Sequence, residues 1–214
     1  MRQSQEILDG LITRYPALSG CRESIWDAFE MLFACLKEGK KLVLCGNGGS
    51  CADCDHITGE LLKGFCKGRP LQETEKEALR KIDLERGEML SNKLQKGLAV
   101  VNLCANTAAM TAVANDTDAD LIFAQQLMGL GKEGDVLVCI CPRGSAENIL
   151  NAIAAARLQR MEILGMTAWD GGKMKGLCDV LIAAPEREVY CVQEMHLPIY
   201  HALCLMLEAA FFEE

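Results

Sequence analysis

Five short apolar runs, each closed by turn-forming residues, alternate with stretches of helical periodicity, and this alternation limits the chain more than any other feature. The runs are Lys41–Cys45, Leu98–Leu103, Asp135–Ile140, Met161–Met166 and Asp179–Ala183, with Asp53–Leu62 and Glu147–Leu158 among the helical stretches between them. Strands apolar on both faces and separated by helices imply a parallel sheet covered on both sides. The turns Gly131-Lys132-Glu133-Gly134-Asp135 and Asp170-Gly171-Gly172-Lys173 fit the connections. The pattern predicts a single α/β domain over residues 1–214, a three-layer αβα sandwich around a five-stranded parallel sheet.

Two segments stand outside the alternation. Ile7, Leu8, Leu11 and Ile12, then Ile25, Phe29, Leu32, Phe33 and Leu36, recur at helical spacing and predict an N-terminal helical hairpin over 1–39. Residues 66–96 form a long charged connection where a short loop would serve, and Leu79, Ile82, Met89, Leu90 and Leu94 give it a helix of its own. It reads as a packing insert, an oligomer contact or a lid.

With 214 residues, half of them hydrophobic, the chain can bury one full core or at most two small ones. A net charge of -8 argues against non-specific binding to nucleic acid or to an anionic membrane surface. No run is long enough to span a bilayer, and Met1–Glu6 has no apolar signal core. The 12 cysteines are scattered through apparent core elements, not spaced as a disulfide framework. They read as reduced, buried side chains in a cytoplasmic protein. Cys51-Ala52-Asp53-Cys54 is a C-x-x-C without a thioredoxin-like context and reads as packing.

The chemistry concentrates in two places. The first apolar run passes straight into Gly46-Asn47-Gly48-Gly49-Ser50 and then a helix, so glycines let backbone approach a ligand and amides face it. On that helix His56 and Glu60 are four residues apart, about 6 Å on one face. Such a pair can chelate a metal ion or form an ordinary surface hydrogen bond. The other two histidines lie in Gln193-Glu194-Met195-His196-Leu197-Pro198-Ile199-Tyr200-His201. Pro198 suits the first turn of a helix, with His201 just inside it and Gln193 on the approach. If 193–201 were one continuous helix, Gln193 and His201 would stand about 12 Å apart along it.

Together these residues resemble the phosphoheptose isomerase branch of the sugar isomerase (SIS) domain family. The likeness runs through Cys45–Ser50, Asp53, His56, Glu60 and Leu61, then Ala114-Asn115-Asp116 and Gly134-Asp135-Val136-Leu137. It continues through Asn148–Arg157, Asp170–Met174, Gln193-Glu194, His196 and His201. The resemblance implies a flavodoxin-like SIS fold, a homotetramer with sites between subunits, and a sugar phosphate such as sedoheptulose 7-phosphate as substrate. It implies substrate contacts at Asn47, Gly48, Gly49, Asn115 and Asp116, beside which the loop itself offers Ser50 as a hydroxyl donor. Glu60 and His201 become the acid/base pair, and His56, Glu60, Gln193 and His201 the ligands of one zinc ion. No nucleotide cofactor is expected, and His196 reads as structural.

One departure bears on function. The family places a serine- and threonine-rich phosphate loop after the third strand, where this chain has Cys141-Pro142-Arg143-Gly144-Ser145-Ala146-Glu147-Asn148. Cys141, Arg143 and Ala146 replace hydroxyl residues, and Pro142 removes a backbone donor. Either Arg143, helped by Ser145, holds the phosphate through its guanidinium fork, or phosphate binding is lost and the protein is a non-catalytic sensor or protein-binding tetramer. Tyr190 also stands where the family has an aspartate.

Overall fold

In the computed structural model, which describes residues 1–212, five parallel strands form one sheet in the order β2-β1-β3-β4-β5. They are β1 Leu42–Gly46, β2 Val100–Asn102, β3 Val136–Ile140, β4 Glu162–Ala168 and β5 Val180–Ala184, each within two residues of an expected run. Every residue of β1 and β3 is buried, so their sequences carry no polar alternation. Leu42 pairs with Val100 on one side and Val136 on the other, so the chain leaves β1 one way and returns past it to β3. In an open α/β sheet a crevice opens at the carboxyl ends where the strand order diverges in this way. Gly46–Ser50 and Cys141–Ala146 leave those two ends.

Helices cover both faces of the sheet. They are α1 Arg2–Arg14, α2 Arg22–Lys37, α3 Gly49–Leu62, α6 Thr107–Asp116, α7 Ala124–Leu130, α8 Glu147–Leu158 and α9 Val189–Phe211, of which α2, α3, α8 and α9 make the main contacts with the strands. The predicted stripe of α2 is buried at Ile25, Phe29, Leu32 and Leu36. The α1 helix leans mainly on α9, not on α2. An aromatic chain through Trp26, Phe29, Phe33 and Phe211, with centroids 5.0–5.9 Å apart, ties α2 to the end of α9. In the turn before β3, buried Asp135 accepts from the Lys41 and Lys132 amides and pairs with the Lys41 ammonium. No helix among the described residues is long and apolar enough to cross a membrane.

Two expectations need correction. The segment 66–96 holds two helices, α4 Glu73–Ile82 and α5 Leu84–Lys93, instead of one. Asp83 breaks the periodicity: its backbone is extended and its carboxylate accepts from the Arg86 amide at 2.8 Å, starting a new helix. The hairpin packs chiefly on itself, and no residue of α4 is buried. Pro198 does not open a helix but lies inside the 23-residue α9. Burial of most of that helix's flanking side chains holds it together through the one amide that proline lacks.

Candidate active site

The loop leaving β1 owes its shape to two contacts that only glycine allows. A Cβ on Gly46 would meet the Ser50 carbonyl at 2.7 Å, and Gly48 turns the chain at φ 56°. At Gly49 a Cβ would stand 2.5 Å from Gln193 Nε2, because Gln193 reaches from α9 across the start of α3. Ser50 is fully buried and its hydroxyl has no partner among the described residues. Asn47 points outward and closes a two-bond amide pair with Asn148, at 2.9 Å in each direction.

Between this loop and the one after β3 lies a cavity of about 180 Å³. Its floor is Ile140 to Arg143, and Asn47, Ala146, Val189 and Gln193 form its sides. The β3 loop is held backbone to backbone against the Gly171-Gly172 turn. The Ala168 amide donates to the Pro142 carbonyl at 3.0 Å and the Met174 amide to Gly144 at 3.1 Å. A Cβ on Gly172 would meet the Arg143 carbonyl at 2.5 Å. This leaves the Arg143 side chain at the exposed rim. Glu147, the acidic neighbour of the loop, is paired with Lys173 at 2.7 Å. Ser145 is exposed on the same loop, while Asn115 and Asp116 end α6 and do not line the cavity.

A second cluster sits farther along α3. His56 Nε2 is 3.4 Å from Glu60 Oε1 and 3.5 Å from His201 Nε2. On its other side His56 Nδ1 is 3.0 Å from the Tyr200 hydroxyl, which donates to Asp53 Oδ1 at 3.3 Å. With the hydroxyl giving its proton to Asp53, a neutral His56 that donates Nδ1–H to the tyrosine oxygen keeps its Nε2 lone pair. That lone pair faces a carboxylate oxygen, an arrangement that a cation relieves. Glu60 Oε2 is buried without a hydrogen bond, its nearest cation being Lys63 at 3.7 Å. Burial first, and His56 second, hold the His201 imidazole below its ordinary pKa. Burial lifts the Asp53 carboxyl above its usual range, although the Tyr200 bond opposes it.

The fourth expected metal ligand is elsewhere. Because α9 is continuous, Gln193 and His201 stand about 12 Å apart along it. Within one chain Gln193 belongs to the cavity and His201 to the histidine cluster. Among the described residues no group of three or more His, Cys, Asp or Glu side chains already surrounds a point with metal-binding geometry. What the chain supplies is pairwise proximity through His56, an oriented Nε2 and an unsatisfied carboxylate oxygen, and this donor set fits a divalent ion such as zinc. His196 is fully buried with its Nε2 3.3 Å from the Thr167 carbonyl, away from the cluster.

Tyr200 is the site residue the sequence reading passed over. Its neighbour His201 drew the attention, although Tyr200 falls four residues after the buried His196 on the same helix.

A family profile for the SIS domain matches residues 17–100. The phosphoheptose isomerase of Nitratiruptor sp. is 34% identical over 207 residues, covering 97% of each chain. That of Rhodospirillum rubrum is 35% identical over 193 residues, covering 90% of this chain and 89% of the other. The solved phosphoheptose isomerase of Neisseria gonorrhoeae superposes with a TM-score of 0.71 at 28% identity, covering 97% of this chain and 94% of that one. With a five-stranded parallel sheet, a glycine loop at its switch point and relatives matched nearly end to end, the chain belongs to the phosphoheptose isomerase family of SIS-domain proteins.

Proposed function

We propose that the protein is an aldose–ketose isomerase acting on a sugar phosphate of the sedoheptulose 7-phosphate type. One observation carries the reading: on the helix that the glycine loop opens, Glu60 has a buried, hydrogen-bond-free Oε2 and an Oε1 3.4 Å from His56, which stands 3.5 Å from His201. Exchange of an aldose and a ketose moves a proton between adjacent carbons through a cis-enediol. Glu60 removes the proton from the carbon beside the carbonyl and returns it to the neighbouring carbon. His201, held neutral by burial, passes a proton to and from the substrate oxygens as the charge there grows. Asn47, Gly48, Gly49 and Gln193 meet the sugar, and Arg143, with Ser145, takes the phosphate through its fork.

His56, Glu60 and His201 would hold a zinc ion, which when bound supplies a Lewis acid at the sugar oxygens. In the proposed homotetramer, Gln193 and the Asn115-Asp116 end of α6 reach a site from neighbouring copies. Two features support this: the Gln193–His201 separation, and an α6 without charge from Thr107 to Asn115 and without a buried residue. The compartment we assign is the cytoplasm.

A second reading rests on the cavity wall. Cys141, Pro142 and Ala146 offer no hydroxyl there, which favours a non-catalytic sensor or protein-binding tetramer of the same fold. One experiment separates the two. The zinc-loaded protein is incubated with heptose, hexose and pentose phosphates, and exchange of the proton beside the carbonyl with deuterated water is followed by NMR. The isomerase reading expects turnover that falls at least a thousandfold in Glu60→Gln. Binding without exchange, or equal turnover by Glu60→Gln, would leave the sensor reading in its place.

A further inference from the structure

Glu208 is 1% exposed on α9, seven residues and two turns beyond His201. Its carboxylate accepts three consecutive backbone amides, from Phe65 and Cys66 at 2.8 Å and Lys67 at 3.0 Å. It also takes both Nε and Nη2 of Arg69, at 2.9 and 2.8 Å. Arg69 is equally buried, and its plane lies over the Phe212 ring with 4.6 Å from Cζ to the centroid. The rest of the guanidinium faces α3. Nη1 donates to the Leu61 carbonyl at 2.8 Å and Nη2 to the Glu60 carbonyl at 3.1 Å. These are carbonyls of the last turn of that helix, beyond its own ladder of hydrogen bonds, and the Leu61 carbonyl also accepts from the Leu98 amide at 2.9 Å.

A single buried ion pair therefore joins the end of the helix bearing His56 and Glu60 to the helix bearing His201. Its five donors and two carbonyls fix position along α3, along α9 and in the gap between them. A lysine at 69 would keep the charge but lose the fork that reaches both helices.

We infer that Arg69 and Glu208 are positioning residues that set the distance from Glu60 and His56 to His201 across the α3–α9 contact. The inference rests on the isomerase reading for its consequence in turnover, but not for its consequence in geometry. Neither residue touches the reacting atoms. The alternative is that the pair only holds the fold together and sets no distance in the site.

The test compares Arg69→Lys and Glu208→Gln with Asp135→Asn, which disrupts the pair with Lys41 at the starts of β1 and β3, outside the α3–α9 contact. In the full-length zinc-loaded protein, positioning predicts a kcat at least tenfold lower in Arg69→Lys and Glu208→Gln with KM within twofold. It also predicts zinc affinity at least tenfold weaker by competition with a chromophoric chelator. Asp135→Asn should lower the melting temperature comparably and leave kcat and zinc affinity unchanged. Equal kcat and zinc affinity in all folded variants would overturn the inference. If Arg69→Lys does not fold, Glu208→Gln, which keeps one acceptor oxygen for the Cys66 and Lys67 amides, carries the test. If the wild type turns over no sugar phosphate, the isomerase reading fails while the inference is still decided by crystal structures. A His56–His201 separation widened by an ångström or more in Glu208→Gln supports it, and an unchanged one ends it.

Discussion

Gly49 and Gln193 form a contact whose energetics can be separated. The Gly49 Cβ position is occupied by the Gln193 amide, a flexible side-chain end that can swing away, so Gly49→Ala should displace Gln193 without unfolding the chain. The loss expected is about one hydrogen bond to the sugar, about 1 kcal/mol, read as a KM several-fold higher. Gln193→Ala should cost a similar amount, and the double variant no more than either alone. Additive effects measured by steady-state kinetics would show that the two residues act apart. His196 supports a prediction of a different kind. Burial lowers its pKa to about 4, so it is neutral in the fold while an unfolded chain protonates it below about 6.5. The unfolded state then binds the extra proton, and stability falls as pH drops from about 6.5 to about 4, by about 3 kcal/mol in all. His196→Gln keeps a donor for the Thr167 carbonyl but cannot titrate, so its urea midpoint should be flatter over that range. An equally steep acid limb in the variant would assign it to other groups.

Among the elements, what was legible in sequence was whatever has a local cause. The strands announced themselves because each is buried on both faces and ends at a turn, and α2 because its buried stripe repeats at helical spacing. Pro198 misled because its local preference for a first turn was overridden by the tertiary burial of α9. That misreading mattered, since the continuity of α9 decides which half of the site Gln193 joins. In the 66–96 insert the apolar residues were noticed, but Asp83 as a cap between two helices was not. His56 and Glu60 were readable from their spacing of four. The Asp53–Tyr200–His56 chain and the Arg69–Glu208 pair were not, because their partners lie as many as 147 residues apart and no periodicity connects them.

At the scale of the molecule, the two halves of the site and the uncovered α6 pose the same question. One chain brings His56, Glu60 and His201 together but leaves Gln193 and Asn115-Asp116 apart from them. A helix with the sequence Thr-Ala-Ala-Met-Thr-Ala-Val-Ala-Asn has no charged face to give to water, and an uncharged, apolar helix is stable on a surface only when something covers it. In the proposed tetramer a second copy does so, and the same contact brings Asn115 and Asp116 to a neighbouring site. Ala108 and Ala112 are exposed and one turn apart, so glutamates there should leave the 23.4 kDa chain folded while repelling the partner. Light scattering should then give a tetramer for the wild type and a smaller species for Ala108→Glu/Ala112→Glu. Turnover should fall with assembly although His56, Glu60 and His201 are untouched. A wild type that stays monomeric at micromolar concentration, or a dissociated variant with full activity, would show that one chain holds a complete site.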